Sequence, residues 1–215
     1  MKKINVPYLE ELNDVSTEQS SGILEEMGTR SAIDVLNWPD VYSYRPITYF
    51  NIARSKDSVF IKYSVAGTML KAVHSEDHSH VHEDSCVEFF CMPEGADRYT
   101  NFEFNCIVTC SASTRKGRSE EVVPFSAEDM KTIERYPSIG TKPFKEMEGM
   151  FEWELTVKIP MRLMKLDPDN LPEKIRANFY KCADDTDSVH FVSWSPIETP
   201  SPDFHRPEFF GELSF

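Results

Sequence analysis

No run in the chain approaches the ~20 consecutive apolar residues that a membrane-spanning helix needs, so a helical anchor is not expected. Positive charge is scarce: 23 Lys and Arg stand against 36 Asp and Glu, a formal net charge of -13. Such a surface repels phosphate backbones and anionic lipid head groups. Nucleic acid and membrane surfaces are therefore not expected partners, while neutral ligands, cations and basic partners stay open. Paired cysteine motifs are missing too. The five cysteines, Cys86, Cys91, Cys106, Cys110 and Cys182, are odd in number and contain no CxxC, so neither a zinc knuckle nor a thioredoxin-like motif is offered. Most lie inside apolar runs, where a thiol behaves as a small hydrophobe, and they are read as reduced. The start, "MKKINVPYLEEL", has Asn5, Pro7, Glu10 and Glu11 where a signal peptide needs an apolar stretch. With reduced thiols, this leads to the expectation of a cytoplasmic protein.

What is present is enough to fold. Hydrophobic residues make up 40% and aromatics 12% of the sequence, with no low-complexity tract or internal repeat. At 215 residues the expected organisation is one domain over 1–215. Residues 1–30 are polar and read as a lead-in along the domain edge. Strand signals follow in short apolar runs: 31–38 and 47–54, bounded by Pro39 and Pro46, then 58–66, where Val59, Ile61, Tyr63 and Val65 share a face. Ser55 to Asp57 reads as a hairpin turn. Val87, Phe89 and Cys91 alternate in 85–92, as do Phe102, Phe104, Cys106, Val108 and Cys110 in 100–112, and these two runs form a second hairpin.

From Thr114 to Gly149 the alternation dissolves, apart from one short helix predicted at "SAEDMKTIER", where Ser126 can cap. It returns at 150–160, where Trp153 alternates with Phe151, Leu155 and Val157 and is read as core, then at 174–182, 188–194 and 209–215. About nine strands, one or two short helices and no crossover helices predict an all-β, antiparallel, jelly-roll-like sandwich.

Alternation also proposes a site. If Val87, Phe89, Phe102 and Phe104 point inward, Glu88, Glu103 and Asn105 point to the opposite face. By the same rule Arg176, Asn178 and Tyr180 share one face, opposite Ile175, Ala177 and Phe179. These six residues make a candidate polar floor, a mixture that can grip paired sugar hydroxyls. Trp38, in a turn-like context, and Trp194, at a strand end, are further candidates for ligand contact.

The segments "EDSCVEFF" (83–90), "NFEFN" (101–105) and "RANFYKCADD" through "VSWSPIETPSPDFHRPEFFGELSF" (176–215) resemble the family 9 carbohydrate-binding modules, within the wider DOMON-like sandwiches. The resemblance is nearest to a free-standing bacterial branch with an "NVPYL" start. It implies a jelly-roll-like sandwich, no catalysis, a cleft where aromatic rings stack on a sugar, and calcium as a stabilising ion. Carried over by position, the family's stacking tryptophans fall near His82 and on Phe204, followed by His205 and Arg206 at the rim. Neither position is tryptophan here, and Glu103 stands where the family uses arginine.

Three other readings come from the residues. "HSEDHSHVHEDSCVEFF" (74–90) carries four histidines in nine residues, and His78, His80 and His82 at two-residue spacing would project to one side of an extended segment, a geometry able to share zinc or nickel. The bland alternative is a loop of solvated imidazoles. His190 and the nine methionines would permit haem ligation, although no CxxCH tract supports it. Glu88 and Glu103 on one face would permit glycoside hydrolysis if suitably spaced.

Overall fold

The computed structural model describes all residues 1–215. In chain order the elements are β1 (Lys3–Asn5), α1 (Thr17–Met27), β2 (Thr29–Ala32), β3 (Val35–Leu36), β4 (Ile47–Arg54), β5 (Ser58–Ala72), β6 (Cys86–Pro93), β7 (Tyr99–Asn105), β8 (Cys110–Arg115), β9 (Val123–Pro124), α2 (Ala127–Lys131), β10 (Glu134–Pro137), β11 (Phe144–Pro160), β12 (Lys174–Ala183), β13 (His190–Ser193) and β14 (Gly211–Ser214). They form two sheets, as an all-β sandwich requires. One runs β1-β14-β12-β6-β7-β8-β9, with β13 pairing to β12 and β3; the other runs β10-β11-β5-β4-β2. All pairings are antiparallel except β1 with β14.

The period-two pattern explains how the sheets meet. Val87, Phe89, Phe102, Phe104 and Phe179 from the first sheet interlock with Ile61, Tyr63, Leu155 and Val157 from the second. Phe50 on β4 stacks on Phe179 on β12 with centroids 3.8 Å apart, so the two layers touch ring to ring. Burying a side chain of this size contributes about 2 to 3 kcal/mol. Trp153 is buried in this core. A second apolar cluster, including Trp38, Phe90, Tyr99, Tyr180, Phe204 and Phe210, covers part of the outer face of the first sheet. The site opens beside this cover.

Several expectations need correction. There are fourteen strands rather than about nine, because short edge strands such as β1, β3 and β9 carry too few residues to alternate visibly. The run 100–112 is two strands: Asn105 N–H donates to Thr109 O, Thr109 N–H donates to Asn105 Oδ1, and Val108 turns into the left-handed region at φ 70°. That conformation is costly for a β-branched residue, and Arg135 Nη1 helps hold it by donating to Val108 O. The lead-in contains α1, started by a reciprocal cap in which Gln19 N–H donates to Ser16 Oγ and Ser16 N–H donates to Gln19 Oε1. Run 31–38 divides into β2 and β3, and strand structure returns at Phe144, before Gly149. The predicted helix at 126 is α2, with Ser126 accepting from Asp129 N–H.

Candidate functional site

Outward-facing positions of four adjacent strands lay down the floor. On β6 these are Cys86, Glu88 and Phe90; β12 sets Cys182, Tyr180 and Asn178 opposite them. On the other side β7 sets Asn105 opposite Cys86 and Glu103 opposite Glu88, and β8 sets Ser111 opposite Glu103. Above this floor, the loop 73–85 supplies His78, His80 and His82, the loop after β8 supplies Arg118, and the segment 202–205 supplies Asp203, Phe204 and His205. The resulting cleft has a volume of about 430 Å3 and is also lined by Arg115, Cys182, Asp184 and Phe191.

Two carboxyls dominate its base. Glu88 is 3% and Glu103 7% exposed. Burial, reinforced by the neighbouring Glu103 charge, pushes the Glu88 carboxyl well above the usual carboxylate range. Glu103 is pushed up to about 7, chiefly by burial, while Arg115 and the hydrogen bond from Asn101 pull the other way. A relay sets this group: Arg115 Nε donates to Ser113 Oγ, Ser113 Oγ donates to Asn101 Oδ1, and Asn101 Nδ2 donates to Glu103 Oε1 at 2.8 Å. Glu88 Oε1 has only thiol neighbours, Cys182 Sγ at 3.2 Å and Cys86 Sγ at 3.9 Å. At the rim, Asp184 is raised to about 6 by burial, and its Oδ1 is buried with no hydrogen-bond partner.

The imidazoles play separate parts. His205 is lowered to about 3, first by burial and then by Arg115 and Arg118, so its ring is neutral, and Nδ1 shares a hydrogen bond with Tyr99 Oη at 2.8 Å. Burial also lowers His82, whose Nδ1 lies 3.9 Å from Glu103 Oε2. His78 Nε2 donates to Phe125 O, and His80 Nδ1 turns to Glu83 at 3.4 Å. His78, His80 and His82 therefore border one cleft but do not bring their nitrogens into one ligand group. The loop bends instead of running extended, with His78 at φ 66°.

Of the residues expected at the site, Glu88, Glu103, His82, Phe204 and His205 line the cleft together. Tyr180 lies one layer behind: its ring stacks on Phe204 with centroids 4.2 Å apart, and its hydroxyl donates to Phe204 O. Four positions need correction. Asn105 is fully buried and holds loops, donating to His74 O and Asp84 Oδ2. Asn178 is fully buried and bridges β12 to the loop after β13 through both Ser195 backbone groups. Arg176 donates to Pro207 O beneath the terminal segment, and Arg206 pairs with Glu208 outside the cleft. Covering chain, which the alternation of a strand does not record, takes up these polar groups. Trp38 and Trp194 are buried, with Nε1 donating to Thr199 O and Ser31 Oγ respectively. His190, the haem candidate, has Nε2 against Lys181 Nζ and Nδ1 against Ser188 O.

Arg115, Arg118, Cys182 and Asp184 line the cleft in addition to the residues expected from the sequence. Extending the alternation through Ser111 and Ser113 reaches Arg115, and extending it through Asn178 and Tyr180 reaches Cys182 and Asp184. Arg118, in a loop, leaves no such signal. A calcium ion takes oxygen ligands, yet the group of His, Cys, Asp or Glu side chains gathered closely enough to share an ion is Cys86, Glu88 and Cys182. Two thiols and a carboxyl do not suit calcium.

The family model for carbohydrate-binding family 9 matches residues 19–215. Among solved structures, a candidate carbohydrate-binding protein from Bacteroides uniformis ATCC 8492 is 35% identical, with a TM-score of 0.92 over 100% of this chain and 99% of that one. A family 9 module from Caldicellulosiruptor kristjanssonii in complex with glucose is 11% identical, with a TM-score of 0.57 over 99% of this chain and 95% of that one. The module from that organism in complex with cellotriose is also 11% identical, with a TM-score of 0.54 over 99% and 93%. At 11% identity the likeness is one of fold. No curated protein matches the sequence. With the family model spanning nearly the whole chain and the sandwich shared end to end, the chain belongs to carbohydrate-binding family 9.

Proposed function

We propose that the chain binds a small sugar or the end of a glycan in the cleft above Glu88 and Glu103, and does not transform it. Family membership supports the ligand class. The observation that carries the site is a set of buried carboxyl groups short of donors: Glu88 Oε1 meets only thiols, and Asp184 Oδ1 has no hydrogen-bond partner. An unmet buried acceptor costs about 1 to 3 kcal/mol, and sugar hydroxyls are neutral donors that would relieve it. With raised pKa values, the paired carboxyls hold a proton near neutrality and would donate as well as accept, matching a hydroxyl's own two roles. Phe204 and Phe191 offer the apolar wall for C–H groups.

Binding fits the arrangement better than hydrolysis. Glycoside hydrolysis places two carboxyls on either side of the scissile bond, whereas Glu88 and Glu103 stand side by side on neighbouring strands and would address one face of a sugar. The absence of basic excess fits a neutral ligand, and no helix is long and apolar enough to cross a membrane. Calorimetry with neutral mono- and disaccharides, guided by a glycan array, tests the proposal. Heat and saturation with at least one sugar are expected, and no heat from any sugar at millimolar concentration overturns it.

A further inference from the structure

We propose that Cys86, Cys182 and Glu88 form a binding site for one thiophilic metal cation of the zinc class at the base of the cleft. The sulfurs and a carboxylate oxygen all lie within 4.8 Å of one another. In a tetrahedral zinc site, bonds of about 2.0 to 2.3 Å put neighbouring donor atoms about 3.5 to 3.8 Å apart. The separations found here, 3.2 Å from Cys182 Sγ and 3.9 Å from Cys86 Sγ to Glu88 Oε1, bracket that spacing. Small side-chain rotations would therefore close the site.

The framework is rigid. Cys86 and Cys182 are direct partners across β6 and β12, and Glu88 is two residues further along β6 on the same face. All three are buried, at 0%, 1% and 3% exposure. Cys91, Cys106 and Cys110 belong to the apolar core between the sheets, whereas Cys86 and Cys182 lie in the smaller outer cluster. Only the outward pair meets a carboxyl group. That carboxyl has no cation or amide to satisfy Oε1, and a metal would supply the missing positive charge. Burial raises both thiols and Glu88, and coordination would reverse this by releasing their protons. Cys182 and Glu88 border the cleft, so a fourth coordination position would face it and take water or a ligand oxygen. The donors are soft enough to prefer zinc, cadmium or copper(I) over calcium. With the metal in place, Glu88 Oε1 would serve the ion, leaving Glu103 and the fourth position to a sugar; the metal assignment itself does not depend on sugar binding.

The test uses full-length protein without a histidine tag, stripped by chelator and titrated with Cd2+ as a spectroscopic stand-in for Zn2+, and with Zn2+ against a chromophoric competitor. One equivalent of each should bind, Cd2+ with the ultraviolet charge-transfer band of cadmium–thiolate bonds and with proton release. Cys182→Ser and Cys86→Ser should each weaken the band and the Cys86→Ser/Cys182→Ser variant should abolish it, while a His78→Ala/His80→Ala double variant should keep it. No thiolate band from wild-type protein at stoichiometric Cd2+ overturns the proposal, whether or not the serine variants fold. A band that survives in the Cys86→Ser/Cys182→Ser variant also overturns it.

Discussion

Glu88 and Glu103 sit directly opposite each other on β6 and β7, each nearly closed to solvent, so the base of the cleft concentrates negative charge that the fold must hold protonated or balance. Holding such a group has a cost that depends on pH.

Glu103→Gln keeps the acceptor used by Asn101 and removes the charge. Because the Glu103 carboxyl lies at about 7 in the folded chain against an ordinary 4.5, its contribution to wild-type stability is present below 4.5 and lost as pH rises through 7. The variant should be more stable by about 3 kcal/mol above pH 7. Thermal or denaturant melts should show this difference vanish below pH 4.5, and a pH-independent difference would contradict it.

His205 carries the opposite sign. Its folded value is about 3 against an ordinary 6.5, so its stabilising share is present above 6.5 and lost as pH falls toward 3. His205→Gln should gain on wild type across that window, by about 2 kcal/mol at about pH 5. Paired melts at about pH 7 and pH 5 check the change in the gap, independently of the carboxyl titrations that both proteins share.

Asn178→Ala and Phe204→Ala separate scaffold from site. The Asn178 side chain bonds both Ser195 backbone groups, so its loss should cost about 2 to 4 kcal/mol of stability and leave sugar affinity of the folded protein unchanged. Phe204→Ala should cost about 3 kcal/mol of stability and also weaken binding, by about tenfold or less, because only 8% of Phe204 is open to the cleft. Calorimetry beside melts distinguishes the two patterns.

Much of the fold was legible because long strands buried on one face write their period into the chain. β4 matches the expected 47–54 run, and β12 extends the 174–182 run by one residue. α1 was not legible: its sequence, TEQSSGILEEM, carries few apolar residues, and its place is fixed by contacts such as Asn51 Nδ2 donating to Leu24 O. Alternation put Glu88, Glu103, Asn178 and Tyr180 on the outer face, but it carries no record of which segments fold over that face. The chain from Ser195 to Phe210 therefore decides that Asn178 is sealed over while Glu88 borders the cleft. The two-residue histidine spacing was misleading because a positive φ at His78 breaks the extended geometry it assumed.

The loop that carries the histidines is fastened at several points. Asp84 takes the N–H groups of Val73 and His74, Asn105 holds His74 O, and Asp77 accepts from Cys110 N–H and Arg135. A guest would thus meet a mould already set, with little freedom left to surrender on arrival. Selectivity then becomes a matter of shape and of which hydroxyl points where, and a sugar epimer that misplaces one group finds no yielding wall to accommodate it.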